Sequence, residues 1–354
     1  MTDWGASNRV DSFEFILCDP FTLAELEPVE VNASESSLSW DIDSDNRYSG
    51  SIAALEPLSK DRLVRVRHTV NVGGETITET LATMFVYGAS GNALFGSEKH
   101  STRCYSTLFR LTQDRLDSDF SRPKGGKVVN AIRQLVEEVG GTLIVDDPDL
   151  VFSNRTFGRP IWFELDENRF DVVRTIASWI DCEISCDGLG NVILSQTVPD
   201  EDKPVSYTFE AGRNCTYLSG VNVEDNRTDI VNRVVAYCTH DGGTNRVSVE
   251  LGEDSQFSFV RCGRYQRAVI KFTEPMTDEE LHKKALAHLH DNSGERKFYT
   301  IEHVSIPGLK VGDVVDYENN TDFAEPVKAR CIVAQINMRS LTPGAKCTTK
   351  LKTI

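Results

Sequence analysis

Residues 128–145 read VVNAIRQLVEEVGGTLIV, and along this stretch the spacing of the apolar residues changes. From Val128 to Val139 the apolar positions recur every three or four residues, which is the spacing of one face of an α-helix. The glycine pair at 140–141 ends this helix, since glycine readily adopts the left-handed backbone found at helix ends. A short apolar strand follows at 143–145. The stretch therefore predicts an α+β unit in the middle of the chain.

The sequence on either side of this unit follows a β pattern. Short apolar runs and the hairpin signal Asn71-Val72-Gly73-Gly74 predict strands before it. These strands lie at 12–18, 38–42, 49–55, 63–70, 76–81 and 84–87. Strand patterns return at 231–238, 247–251, 268–272, 297–305, 313–317 and 329–341. One helix interrupts them, and Thr277 followed by Glu280 is the capping box at its start.

This order of elements predicts the fold class and three segments. We expect an α+β protein, mainly β, with two small antiparallel β-barrels and an inserted α+β domain. The first barrel covers residues 1–115, the inserted domain covers 116–204, and the second barrel, which carries one helix, covers 205–354.

Composition and charge exclude several classes of protein. The 354 residues contain 38 Lys+Arg and 54 Asp+Glu, which gives a formal net charge of −16. Such an acidic chain is not expected to wrap nucleic acid, because phosphate binding needs a basic surface. No apolar run is long enough for a transmembrane helix, and the polar residues 1–11 lack a signal segment. We therefore expect the chain to fold in a cytoplasm.

The sequence contains no motif that predicts an active site. The nine cysteines are widely spaced without a CxxC pair, which favours reduced structural thiols over zinc ligands. His282, His288 and His290 do not share the spacing of a zinc-protease helix. A Cys–His pair formed in space and a pair of catalytic carboxylates remain alternatives that local patterns do not test. We predict no catalytic, cofactor-binding or metal-ligating residues, and no enzyme.

The order of several phrases resembles the hub proteins of bacteriophage tails. In the last of these phrases a strand follows a Pro-x-x-x-x-x-Gly-Asp-Val-Val turn, which the hub family often carries. The similar phrases occupy residues 13–17, 39–43, 48–52, 176–192, 232–237, 277–280 and 306–315. The resemblance covers nearly the whole chain, and the order of the phrases carries it.

The resemblance implies a structural role in the virion tail. Hubs of this family are homotrimers in which each chain supplies two tail-tube-like barrels, so three chains form a ring of six. Such a ring joins a sixfold tail tube to a threefold spike or fibre, and DNA passes through its lumen without specific binding. The implied partners are the tail tube protein, the distal tail protein, the tape measure protein and a tail spike or fibre, with no stable insertion into a membrane.

For assembly we predict strand residues rather than a point site. The candidates belong to two strands of each predicted barrel, and they are Trp40, Ile42, Tyr48, Ile52, Val235, Tyr237, Val314 and Tyr317. Two alternatives stay open. One is a distal-tail or host-recognition virion protein, and the other is a tail-associated cell-wall hydrolase.

Overall fold

The computed structural model divides the chain into two compact units. The first comprises Met1–Val221, Thr300–Lys352 and Ile354, and the second comprises Asn222–Tyr299 with Thr353. The residues described are 8–58, 62–94, 97–211, 217–218, 220–226, 230–240, 243–272, 276–294, 296–319 and 326–354.

Strands dominate the secondary structure. In chain order the strands are β1 (Val10–Cys18), β2 (Glu25–Pro28), β3 (Ser37–Asp41), β4 (Tyr48–Ala54), β5 (Leu63–Val72), β6 (Glu75–Leu94), β7 (Ser97–Ser106), β8 (Phe120–Arg122), β9 (Leu143–Asp146), β10 (Ile161–Phe163), β11 (Cys182–Cys186), β12 (Val192–Gln196), β13 (Val205–Glu210), β14 (Asn222–Asn226), β15 (Arg233–His240), β16 (Gly243–Glu250), β17 (Arg267–Phe272), β18 (Arg296–Val304), β19 (Val314–Asn319), β20 (Val327–Met338) and β21 (Lys346–Thr353). The helices are α1 (Phe109–Gln113), α2 (Val128–Glu137), α3 (Arg169–Ser178), α4 (Phe259–Cys262) and α5 (Asp278–Ser293). The prediction of a mainly β protein with few helices is confirmed.

A large sheet forms the frame of the first unit, with the strand order β21-β20-β3-β4-β7-β6-β5-β1-β2. β19 pairs with β20, and β13 pairs with β19. The predicted β5–β6 hairpin is present, and Gly73 and Gly74 supply its positive φ angles of 60° and 86°. The prediction of two short strands at 76–81 and 84–87 is wrong, because β6 is continuous from Glu75 to Leu94. Its pairing with β5 skips Leu81, so a bulge bends one strand where the sequence suggested a break.

The middle of the chain keeps a hydrophobic core of its own within the first unit. The apolar stripes of α2 and α3 meet there, and Ile132, Leu135, Val173 and Ile176 are fully buried. β11 and β12 form an antiparallel hairpin, and β12 also pairs with β9 in parallel. The predicted helix, its glycine stop and the short strand after it are all present.

The second unit is a three-stranded sheet with one long helix. The strand order is β16-β15-β17, and α5 packs on one face of this sheet. The members of the core lie on β15, β16 and α5, namely Val234, Ala236, Cys238, Val249, Leu281, Ala285 and Leu289. The predicted capping box is confirmed, since Thr277 accepts a hydrogen bond from the Glu280 backbone N–H and the Glu280 side chain accepts one from the Thr277 backbone N–H.

The three segments predicted from the sequence do not coincide with the two units. β3 from the first segment pairs with β20 from the third, with Trp40 opposite Ile336. Pairing between such distant segments depends on sheet geometry, which local apolar patterns do not encode. The division into three segments stays a prediction. Among the helices in the described part of the chain, none is long and apolar enough to cross a membrane.

Candidate assembly surfaces

Four of the eight predicted assembly residues lie in the core of the first unit. Ile52, Val314 and Tyr317 are completely buried, and Tyr48 is 3% exposed. The hydroxyl of Tyr48 lies 3.0 Å from the carbonyl oxygen of Asp187, which ties β4 to the turn between β11 and β12. The structure thus gives these four side chains a role inside one chain, and their role in assembly stays a prediction.

Trp40 and Ile42 line a cavity of about 540 Å³ in the first unit. Both side chains are half-buried, and Leu309 and Ile336 add to the apolar wall of the cavity. Asp313 also faces this space, and burial raises the pKa of its carboxyl. The two predicted residues therefore border a partly open cavity within one chain, and their role in assembly stays a prediction.

The turn between β11 and β12 forms one wall of this cavity and packs tightly against β6. The Thr83 hydroxyl donates a hydrogen bond to the carbonyl of Gly188 at 2.7 Å, and the Arg65 guanidinium donates one to the carbonyl of Leu189 at 3.1 Å. A Cβ atom added to Gly188 would lie 1.8 Å from the carbonyl oxygen of Thr80. Only glycine permits this approach, so the sequence Asp187-Gly-Leu-Gly both makes a turn and attaches the middle segment to the sheet.

A buried charged cluster that the sequence did not reveal joins β1, β5 and β6. The Nε2 atom of the fully buried His68 lies 3.0 Å from Asp11, and Nδ1 lies 3.5 Å from Glu79. Burial opposes the charges, but hydrogen bonds from His68 and Arg9 outweigh it and lower the pKa of Asp11 to about 2. Burial alone would lower the pKa of His68, because it disfavours the charged imidazolium. The carboxylates of Asp11 and Glu79 outweigh burial and raise the pKa of His68. Glu79 also accepts a hydrogen bond from the Gly308 backbone, so the cluster stabilises strand packing.

Val235 and Tyr237 lie on the sheet face of the second unit that is opposite to α5. Side chains alternate along a strand, so the residues between the core positions of β15, β16 and β17 share this face. We call it the cationic face, and its residues are Glu250, Arg233 and Arg267 in one row, Ser248, Val235 and Val269 in the next, and Arg246, Tyr237 and Lys271 in the third. It therefore carries four cations and one carboxylate around an apolar centre.

Aromatic rings extend one end of the cationic face. Tyr265 stacks on Phe259 with ring centroids 4.3 Å apart. The guanidinium groups of Arg233 and Arg267 lie over the Tyr265 ring, 5.0 Å and 4.8 Å from its centroid. These contacts hold two of the cations in defined positions. A sequence signal for this surface exists, since residues 255–272 contain four cations and no Asp or Glu.

A second surface lies at the end of the sheet of the first unit. β2 is the edge strand, and a groove of about 580 Å³ runs beside it between β1 and residues 26–33. Leu26 in this groove is 50% exposed, and Glu27 and Glu30 are exposed on the same short segment. We call this surface the β2 groove. It combines an open strand edge, an apolar side chain and negative charge.

The buried thiols do not have the properties of nucleophiles. Burial raises the pKa of Cys104, Cys331 and Cys347 to about 12, so these thiols stay protonated at neutral pH. Within the ranges given above for the structure, no group of three or more His, Cys, Asp or Glu side chains is placed to hold a metal ion.

Comparison by sequence finds no matching family model. It finds no matching curated protein either.

Comparison by structure does find similar solved structures, and they cover nearly the whole chain. The tail protein from Neisseria meningitidis MC58 is similar with a TM-score of 0.68 at 12% identity, over 96% of each chain. The 43 kDa tail protein of prophage MuSo2 from Shewanella oneidensis has a TM-score of 0.64 at 13% identity, over 96% of this chain and 98% of its own. Prophage tail protein gp18 from Listeria monocytogenes EGD-e has a TM-score of 0.58 at 12% identity, over 96% and 94%.

The chain therefore has the fold of phage tail proteins. The resemblance to tail hubs that the sequence indicated is confirmed at the level of the fold, since these similarities cover nearly all of each chain.

Proposed function

We propose that this protein is a structural hub of a bacteriophage tail tip or baseplate. The observation that carries the proposal is the similarity to the Neisseria meningitidis tail protein over 96% of both chains. Because the similarity spans nearly all of both chains, the match involves the whole architecture rather than one common module. The protein acts in the virion tail, and it assembles there from chains made in the bacterial host cytoplasm.

In this proposal three chains form a closed ring. Each chain supplies two tail-tube-like β-barrels, so the ring has six barrels on one side and threefold symmetry on the other. It joins a sixfold tail tube to a threefold spike or fibre, with the tail tube protein, the distal tail protein and the tape measure protein as further partners. Closed cyclic symmetry is favourable because it removes exposed strand edges.

The charge supports passage of DNA through the ring. A net charge of −16 makes contact with the phosphate backbone unfavourable, so DNA moves through an acidic lumen without binding to its wall. The function is structural and needs no catalysis. Zymography on bacterial cell walls tests this last point, and a clearing band at the mass of the chain would contradict it.

The mass of the particle in solution tests the ring. Light scattering after size exclusion, with electron microscopy of the same peak, is expected to give three chains arranged around a central hole. A hexameric ring would contradict the hub proposal and favour a distal-tail protein instead.

A further inference from the structure

We propose that the cationic face of one copy binds the β2 groove of the next copy, and that this contact closes the ring. The inference rests on the proposed trimer, and it names the two surfaces that hold the trimer together. It requires each surface to be open in the single chain, to have an apolar centre, and to carry charge opposite to that of the other.

The cationic face meets the first two requirements. The core of the second unit lies on the α5 side of the sheet, while Val269 on the other side is 66% exposed. Val269 pairs with Val235, which is 8% exposed, and stands one row from the half-buried Tyr237, so Val269 is the open apolar group at the centre. Arginine and tyrosine around an apolar centre are typical of the energetically important part of protein–protein interfaces.

The charge of this face differs from that of the rest of the chain. Four cations on the face oppose one carboxylate, which gives 4 − 1 = +3. These five residues are Arg233, Arg246, Arg267, Lys271 and Glu250. The remaining residues therefore carry −16 − 3 = −19. A second copy of the same chain is thus an electrostatically complementary partner.

Several of these charges have no salt-bridge partner in the part of the chain that the structure describes. Arg246, Arg267 and Lys271 are exposed, and they form no ion pair with any other described residue. A partner could therefore bind them without breaking a salt bridge to any described residue.

The β2 groove offers the matching features. Glu25 is held by Arg65 at 2.9 Å and by Arg67 at 2.6 Å, so its charge is already compensated. Glu27 and Glu30 have no such partner among the described side chains. Leu26, on the edge strand itself, lines the groove and is 50% exposed, so it gives the groove an apolar contact for Val269.

Two different surfaces on one chain make a head-to-tail contact. Such contacts form rings when the rotation between neighbours closes, and the same contact then repeats at every interface. The contact would also cover the open edge of β2, which otherwise could pair with unrelated strands. A DNA duplex is a less suitable occupant of the cationic face, because the apolar centre offers nothing to phosphates.

Charge reversal on the full-length chain tests the contact. Light scattering would compare the wild type with R246E/R267E, with E27K/E30K, and with the variant that carries all four changes. We expect a trimer for the wild type, association weakened at least about tenfold for each double variant, and recovery of the trimer in the fourfold variant. The control K124E/K283E reverses two exposed lysines elsewhere and should leave the mass unchanged.

The outcomes separate this inference from the proposed function. A wild-type trimer that R246E/R267E leaves intact, or a fourfold variant that stays monomeric, would overturn the contact and leave the hub proposal standing. A wild type that is monomeric at about 0.05 M and about 0.5 M NaCl would overturn the contact and count against the ring. If such a monomer bound a labelled DNA duplex through Arg246 and Arg267, the face would be assigned to nucleic acid.

A cross-link tests the same contact without changing charge. The variant L26C/V269C should give disulfide-linked trimers under mild oxidation, whereas L26C and V269C alone should not. Both single variants keep the exposed native Cys262, so they control for cross-links through that thiol. Circular dichroism and thermal melting would confirm that each variant is folded, and a folded L26C/V269C that forms no interchain disulfide would contradict the proposal.

Discussion

At the scale of single residues, His303 is a neutral imidazole enclosed by the first unit. Its Nδ1–H donates a hydrogen bond to the carbonyl of Val304 at 2.6 Å, because a carbonyl can only accept. Nε2 then accepts a hydrogen bond from the Thr349 hydroxyl at 2.7 Å. Burial is the main cause that lowers the pKa of His303 to about 4. The folded protein therefore binds this proton less readily than the unfolded chain does.

This difference predicts a loss of stability in mild acid. A histidine with a lowered folded pKa contributes stability above pH 6.5 and loses that contribution as the pH falls toward 4. Between pH 7 and pH 5 we expect the free energy of unfolding to fall by about 2 kcal/mol through His303. Urea unfolding at pH 7 and pH 5 measures this change in the free energy of unfolding for the wild type and for H303Q. The difference between the two proteins is the contribution of His303.

The comparison with H303Q is needed because His68 acts in the opposite direction. Its raised folded pKa adds stability as the pH falls, and this contribution is complete below pH 6.5. If H303Q lost as much stability as the wild type between pH 7 and pH 5, His303 would not be the buried neutral group described here.

Gly188 gives a second prediction at this scale. Gly188→Ala places a methyl group against the backbone of Thr80, so the turn must move away from β6. We expect the free energy of unfolding to fall by about 1–3 kcal/mol, as for other overpacked sites. The control is Gly158→Ala, since a Cβ at Gly158 meets nothing within 4 Å. Thermal or urea unfolding measures the stability of both variants. Equal stabilities would contradict the close approach of Gly188 to the backbone of Thr80.

At the scale of elements, the capping box is expected to stabilise the first turn of α5. Replacing Thr277 with alanine removes the side-chain acceptor of the Glu280 backbone N–H. We expect a loss of about 1 kcal/mol and faster hydrogen exchange in the first turn of α5. T277S keeps the hydroxyl and should behave like the wild type, so equal effects of the two substitutions would argue against capping.

The same helix shows what the sequence could predict. The Thr277–Glu280 pair, the stripe of α2 and the glycines at 73–74 act within a few residues, so local patterns identified them. The pairing of β20 with β3 was not predicted, because its partners lie 294 to 300 residues apart in the sequence.

The predicted assembly residues show the same limit of local patterns. Val235 and Tyr237 were identified as strand residues, but a strand pattern does not tell which face a distant helix covers. That α5 covers the opposite face became visible only in the structure. Tyr48 and Ile52 belong to the same type of pattern, yet they lie in the core of the first unit, and Val235 on the opposite face from α5 is also only 8% exposed.

At the scale of the whole molecule, the charge predicts weak interaction with DNA. We expect fluorescence anisotropy to show no binding of the wild type to a labelled duplex at about 0.15 M salt, because −16 charges repel the phosphates. A basic DNA-binding protein serves as the positive control. Saturable binding at that salt concentration would contradict the proposal that DNA passes through the ring without binding to its wall.

The pairing of β3 with β20 also determines when the chain can finish folding. Gln335 donates a hydrogen bond to Asp41, so residues separated by 294 positions meet in the completed sheet. At translation rates of about 5–20 residues per second, roughly 15–60 s pass between the synthesis of these two partners. During that interval the inner edge of β3 has no strand to pair with. Ribosome-bound chains thus carry an open edge on β3 until β20 has been made, and only then can this part of the sheet close.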